Sequence, residues 1–156
     1  MNFWLMKSEP DAFSIDDLKA CKNGIEPWDG TRNYQVRNML RDQMKPGDLA
    51  FFYHSNCKPP AIVGIMEIVS EGYPDHTAWD PSSNYYDPKS DPDNPRWFMV
   101  DVKYQRHLKR AIPLAELKAD SVLIEQDFPL IRKGSRLSIM PVTEQQWQRI
   151  LILETL

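Results

Sequence analysis

The sequence predicts an α+β fold in which a small, mixed, curved β-sheet, closing toward a barrel, is flanked by short helices. Three observations carry the prediction. Apolar runs are short and bounded by Gly, Pro, Asn and Asp; helical spacing appears only in brief stretches; and strands and helices follow one another without the strict alternation of a parallel sheet. The predicted order is strand, helix, helix, hairpin, long loop, strand, helix, strand, helix.

Phe3-Trp4-Leu5-Met6 is a first strand, and it runs into a loop at Pro10, where the chain loses a hydrogen-bond donor. Ser14 caps a short helix with Asp16 and Asp17 in its first turn, where the helix dipole favours acidic groups, and Asn23-Gly24 closes it. Trp28-Asp29-Gly30-Thr31 is a turn. From Asn33 to Met44 the spacing of Val36, Met39 and Leu40 predicts a helix, with Asn33, Arg37 and Arg41 stacked on another face. Lys45-Pro46-Gly47-Asp48 is a tight turn into a strand from Leu49 to Tyr53, which pairs as a hairpin with Ala61 to Val69.

Tyr73 to Pro95 is proline-rich and acidic with little apolar content, so it reads as a long loop, and its His76, Trp79, Tyr85 and Tyr86 suggest that it covers something. Arg96 to Tyr104 returns to strand, with Phe98, Val100, Val102 and Tyr104 on one face. Leu114 to Lys118 is a short helix and Leu137 to Val142 a last strand. Thr143 with Gln146 forms a capping box for a final helix that turns Trp147, Ile150 and Leu151 inward.

At 156 residues, 42% apolar and 26% charged, the chain is expected to form one folded domain over 1–156. No apolar run nears the roughly 20 residues of a membrane span, and the start lacks a secretory signal, so a cytoplasmic protein without a membrane partner is expected. Cys21 and Cys57 stand apart and read as free thiols. A net charge of −3 argues against coating nucleic acid by bulk electrostatics, and Pro59–Phe98 holds two basic residues against seven acidic ones. Any nucleic-acid contact must therefore be local.

Four polar segments place hydrogen-bonding groups beside aromatics: Lys7–Pro10, Trp28–Tyr34, Phe52–Ser55 and Arg136–Ser138. Each sits at a strand end or a helix start, positions that converge on one rim of a small barrel. Taken singly, each also has a plain structural reading: a Lys7–Glu9 surface ion pair, Trp28 as a core plug, His54 as a buried histidine, Arg136 as a solvated side chain. Ser8 and His54 lack any nucleophile elbow, and the His and Cys residues lack metal-ligand spacing. The six glycines form no dinucleotide or phosphate loop. Neither an enzyme, a metal nor a cofactor is expected.

Trp4-x-x-Lys7-Ser8-Glu9-Pro10, Trp28-x-Gly30-x-Arg32-Asn33-Tyr34-Gln35-x-Arg37-Asn38, Gly47-Asp48, Phe52-Tyr53-His54-Ser55, Pro95-Arg96-Trp97 and Arg136-Leu137-Ser138-x-x-Pro141-Val142 together resemble the signature of the EVE domain family, which includes the thymocyte nuclear protein 1 type. The resemblance spans the chain and implies a PUA-like pseudo-barrel related to the YTH readers of methylated adenine. It also implies binding of a modified base, 5-methylcytosine or a derivative in DNA being the usual proposal and a modified RNA base the competing one. Thr31 stands where a small aliphatic residue is more usual. The basic N-terminal extension of the eukaryotic members is not present here, which favours the cytoplasm over the nucleus.

On this reading the nucleic-acid partner supplies a single-stranded or flipped-out base. Trp28, Tyr53 and Trp97 are the expected stacking walls, with Trp79 as lid. Ser8, Glu9, Asn33, Asn38 and Ser55 are assigned to the base edge, and Tyr34, His54 and Ser138 to the same pocket. Lys7, Arg32, Arg37 and Arg136 are assigned to phosphates. The competing readings are a pocket for a small metabolite or peptide, and an enzyme acting on a nucleobase. The oligomeric state is open.

Overall fold

The computed structural model describes residues 1–156. Its centre is a parallel pair, β1 (Phe3–Ser8) and β3 (Leu49–His54), in unbroken register from Phe3 opposite Leu49 to Ser8 opposite His54. Antiparallel neighbours extend it on both sides: β8 (Ile139–Val142) beside β1, and β4 (Ala61–Ile68) beside β3, followed by β7 (Asp101–Pro113) and the short β2 (Ile25–Pro27). The sheet order is β2-β7-β4-β3-β1-β8. A separate ribbon pairs β5 (Tyr73–Pro74) with β6 (Phe98–Met99). The expected α+β arrangement, mixed sheet and β3–β4 hairpin are all present.

The apolar runs of β1 and β3 are continuous because the sheet is covered on both faces. Trp4, Met6, Ala50 and Phe52 enter one hydrophobic cluster, beneath the first two helices. Leu5, Phe51 and Tyr53, one residue out of phase, enter a second cluster of the same size beneath the last ones. Trp147 plugs the second cluster by stacking on Phe51 at 3.9 Å and Phe3 at 4.6 Å.

Short helices supply the covers. Helix α1 (Ile15–Ala20) starts at the expected cap, Ser14, whose hydroxyl accepts the Asp17 N–H while the Asp17 carboxylate accepts that of Ser14. The helix expected over 33–44 is α-helical only in α2 (Tyr34–Asn38); Met39–Gln43 widens into a π turn, in which Met44 N–H donates to Met39 C=O, six residues closing the ring instead of five. Helices α3 (Leu114–Ala119) and α5 (Glu144–Leu153) lie where expected, the latter with its Thr143–Gln146 capping box. Helix α4 (Ser121–Glu125) and the strand β2 are too short to leave a periodic signal.

Strand β7 runs nine residues beyond the expected end at Tyr104 because its pairing with β4 slips twice, between Ile65 and Met66 and between Ile62 and Gly64. The slip between Ile65 and Met66 turns the following side chains of β7 over, and the one between Ile62 and Gly64 does the same to β4. Val102 therefore faces the first cluster and Leu108 and Ile112 the second, which erases period-two alternation from the sequence. The expected strand from Arg96 also divides, into β6 and β7, at Val100.

The edge of the β1–β3 pair is pinned by Asp48, which is 3% exposed. Its carboxylate accepts from the Trp4 indole at 3.0 Å and from the backbone N–H of Asn2 and Lys45, both at 3.0 Å. Three donors lose their acceptor together if it is removed. Asp48→Ala is expected to cost about 3 kcal/mol in urea unfolding, and a loss below about 1 kcal/mol would show that the strand ends hold without it.

Candidate functional site

Parallel pairing brings the C-terminal ends of β1 and β3 side by side, and Lys7 N–H donates to Ser138 C=O at 2.8 Å, which adds the entrance to β8. Opposite them, Trp28 N–H donates to Val100 C=O at 2.8 Å, so the turn after β2 faces the same opening. Between the two lies a cavity of about 590 Å³, within the range of small-ligand sites. Lys7, Ser8, Glu9 and Ser138 form one side, Ala12 and Phe13 another, and Glu26 to Arg32 with Tyr85 the rest.

The floor is aromatic and rigid. Trp28 is buried and meets Phe52 edge-on with ring centres 5.5 Å apart, and Phe13 lies 6.4 Å from the same Phe52. Tyr85 comes from the long loop and covers Gly30, whose φ of +81° and lack of a side chain both matter: a Cβ there would stand 2.6 Å from the tyrosine ring.

One buried carboxylate clasps the loop to the turn. Asp75 has no solvent exposure and accepts from Gly30 N–H at 2.8 Å, Arg32 Nη1 at 3.0 Å, and the Thr77 N–H and hydroxyl at 2.9 and 2.6 Å. Burial alone pushes such a carboxyl up, but the hydrogen bonds from Thr77, Gly30 and Arg32 outweigh it and hold Asp75 below the ordinary range. Arg32 spends its other donors on the carbonyls of Thr31 and Tyr85 and on the Thr77 hydroxyl, so all five of its N–H groups are engaged.

The cavity lining carries three carboxylates, Glu9, Glu26 and Asp29, against two cations, Lys7 and Arg32, a balance of −1. Burial lowers the Lys7 ammonium, and burial, then Asp75 and Glu26, raise the Asp29 carboxyl. Neither side chain makes an ion pair or a hydrogen bond to another residue, whereas Ser8 donates to Phe13 C=O at 2.5 Å.

Of the residues proposed from the sequence, Lys7, Ser8, Glu9, Trp28, Arg32 and Ser138 meet around this cavity. The others do not line it, and each departure has a reason. Tyr53 points to the opposite face and is packed in the second cluster, where burial pushes its hydroxyl up to about 12; its out-of-phase neighbour Phe52 supports the floor instead. Trp97 is 6% exposed, stacks on Tyr34 at 4.9 Å, and donates to Asp87 at 2.6 Å, so it braces the loop. Trp79 donates to Ser90 within that loop, and Tyr85 takes the covering position expected of it.

Asn33 caps α2 through Val36 N–H, and Asn38 accepts from Arg37 and Arg41. Tyr34 lies between Trp97 and the Arg37 guanidinium. His54 accepts the Ile15 N–H at 3.1 Å, and burial lowers it, which keeps the acceptor nitrogen unprotonated. Ser55 follows β3, its N–H donating to Ser8 C=O. Arg32, fully engaged, is not available to a phosphate; Arg37 keeps only part of its guanidinium free, and Arg136 is exposed without an ion pair. The sequence reading missed Phe13, Asp29 and Tyr85. Asp29 and Tyr85 lay inside segments already singled out, but nothing in the spacing told which side chains face inward.

Residues 2–153 match the EVE domain family. The human protein "Thymocyte nuclear protein 1" is 49% identical over 165 residues, which cover 97% of this chain and 73% of that one. A crystal structure of the human THYN1 protein in complex with 5-methylcytosine-containing DNA superposes with a TM-score of 0.90 at 49% identity, covering 99% of this chain and 98% of that one. A Pseudomonas putida crystal structure gives 0.91 at 49% identity, covering 97% and 99%. The Mmi1 YTH domain, at 13% identity and a TM-score of 0.52 over 99% and 88%, shares the fold.

Two outcomes follow from the clasp and its neighbour. Because the folded Asp75 carboxyl lies below its unfolded value, its stabilisation is complete above about pH 4 and is lost as pH falls through the folded value. Thermal unfolding followed from neutrality down to about pH 2 should show an acid-side loss that Asp75→Asn diminishes; an unchanged acid slope in the variant would assign the loss elsewhere. The Thr31 hydroxyl is buried without a partner. Thr31→Val should leave the melting temperature unchanged or raise stability by up to about 1 kcal/mol, and a clear loss would reveal a hydrogen bond to this hydroxyl.

Proposed function

The chain belongs to the EVE domain family, and we propose that it binds nucleic acid by taking one modified base, 5-methylcytosine in DNA before others, into the cavity between Phe13, Trp28 and Tyr85. The observation that carries this reading is the combination in one base-sized hollow of a rigid aromatic floor and charged side chains without partners. The human relative's complex with 5-methylcytosine-containing DNA supports the choice of ligand.

A base inside a duplex is closed off on both faces, so the target is single-stranded or flipped out at a cost of a few kcal/mol. Contact with aromatic rings returns about 1–3 kcal/mol per base. The balance of −1 around the cavity disfavours a phosphate inside it, so the strand stays at the rim while the base enters. Lys7 is the cation that meets the backbone there, with Arg136 as a second contact outside the cavity. Binding without turnover fits the local chemistry at Ser8 and His54: the Ser8 hydroxyl is committed to Phe13 C=O and His54 to Ile15 N–H, so the two do not form a nucleophile and base pair.

Titration of short oligonucleotides with and without a central 5-methylcytosine tests the reading. The wild type should bind the modified single strand, and Lys7→Ala should weaken binding of all sequences alike while lowering the salt dependence by about one phosphate contact. Equal, weak binding of every oligonucleotide by both proteins would remove the proposal.

A further inference from the structure

If a base occupies the cavity, its polar edge must find partners, because each unmatched group costs about 1–3 kcal/mol. The groups on offer can be counted. Five charged side chains line the cavity, and three have partners in the chain: Arg32 through all its N–H groups, and, by one carboxylate oxygen each, Glu9 with the Asn56 amide at 3.3 Å and Glu26 with the Cys21 thiol at 3.4 Å. Lys7 and Asp29 are the two whose charged groups contact no other residue of the chain.

These two cannot serve the same part of a nucleotide. A phosphate is attracted to the ammonium and repelled by the carboxylate, so the backbone lies on the Lys7 side and the base turns toward Asp29. A carboxylate only accepts hydrogen bonds, and therefore calls for a donor on the base. Asp29 is itself exposed at the cavity, and partial desolvation followed by repulsion from Asp75 and Glu26 raises its carboxyl while Arg32 opposes them; a base that covers it completes the desolvation and makes the donor more valuable there than in water.

We infer that Asp29 is the specificity-determining residue of this site, accepting a hydrogen bond from the exocyclic amino group of a cytosine-type base and rejecting the keto group of thymine. The inference rests on the base-binding reading above and adds to it the base class. Cytosine presents an amino donor at the position where thymine presents a carbonyl acceptor. Thymine and 5-methylcytosine carry the same ring methyl, so an apolar niche alone cannot separate them. A keto oxygen against Asp29 sets two acceptors face to face, which excludes the wrong base by repulsion as well as by a missing bond.

The test uses single-stranded oligonucleotides that differ at one central position, 5-methylcytosine, cytosine, thymine or uracil, titrated against the full chain. The wild type should bind 5-methylcytosine at least about tenfold more tightly than thymine, and cytosine more tightly than uracil by a similar factor. Asp29→Asn has nearly the same shape, and its amide can turn a donor toward a carbonyl; the difference between 5-methylcytosine and thymine should shrink to within about threefold. Circular dichroism of the variant establishes that it is folded, and Glu125→Gln, a carboxylate change on α4 outside the cavity lining, should keep the wild-type preference. Equal binding of 5-methylcytosine and thymine by the wild type overturns the inference, as does an undiminished preference in Asp29→Asn or its loss in Glu125→Gln. Binding of none of the four by any protein overturns instead the base-binding reading on which it stands.

Discussion

A carboxylate sealed from water at the start of a long polar loop is the constraint on which the site depends. Asp75 cannot be left unpaired, since an isolated buried charge costs far more than any single contact returns. Its partners are the backbone of Gly30 and the guanidinium of Arg32, and these belong to the turn that carries Trp28. The loop and the turn are thereby fixed to each other, although 43 residues separate Arg32 from Asp75. Arg32 then grips Tyr85 C=O with two N–H groups and sets the covering ring over Gly30. A stretch that is acidic and proline-rich with few apolar residues holds a defined wall because polar contacts at Asp75 and Asp87, rather than a hydrophobic core, order it.

The other wall comes from the sheet, and there the governing fact is parity. β1 and β3 are apolar on both faces, so each successive side chain belongs to a different cluster. The cavity opens where the two strands stop and the first cluster ends, which explains why polar residues begin at Lys7 and His54. Among the buried strand residues, those in phase with Trp4, Met6 and Phe52 lie beneath it. The Phe52 ring, not that of Tyr53, consequently carries the Trp28 and Phe13 contacts.

Much of this was legible beforehand. The cap at Ser14, the capping box at Thr143, the hairpin and the meeting of the Lys7 and Ser138 segments with the Trp28 turn follow from local rules, and the structure has them. What escaped was information that lives in pairs. Period two assigns Tyr53 to a face only if the strand has one polar side, and here it has none. The slips between β4 and β7 remove alternation, and a π turn in place of a regular helix rotates the residues after Asn38. Arg32 looked like a phosphate ligand because sequence counts charges, while the fold decides which are already satisfied; the same accounting brought forward Asp29, an ordinary turn residue by position.

The energies divide the work of recognition among these parts. A ring methyl transferred from water to an apolar niche contributes about 1 kcal/mol, less than tenfold in affinity, and stacking is nearly indifferent to which base is stacked. A hydrogen-bonding edge discriminates more, because the wrong group leaves both partners unmatched once the bound base has covered them. A cavity with fixed aromatic surfaces and one open carboxylate is therefore built to separate classes of base more sharply than a base from its methylated form. Strong preference for the modification itself would require that the unmodified base admit water into the niche beside Phe13, so that loss of the methyl also weakens the Asp29 contact.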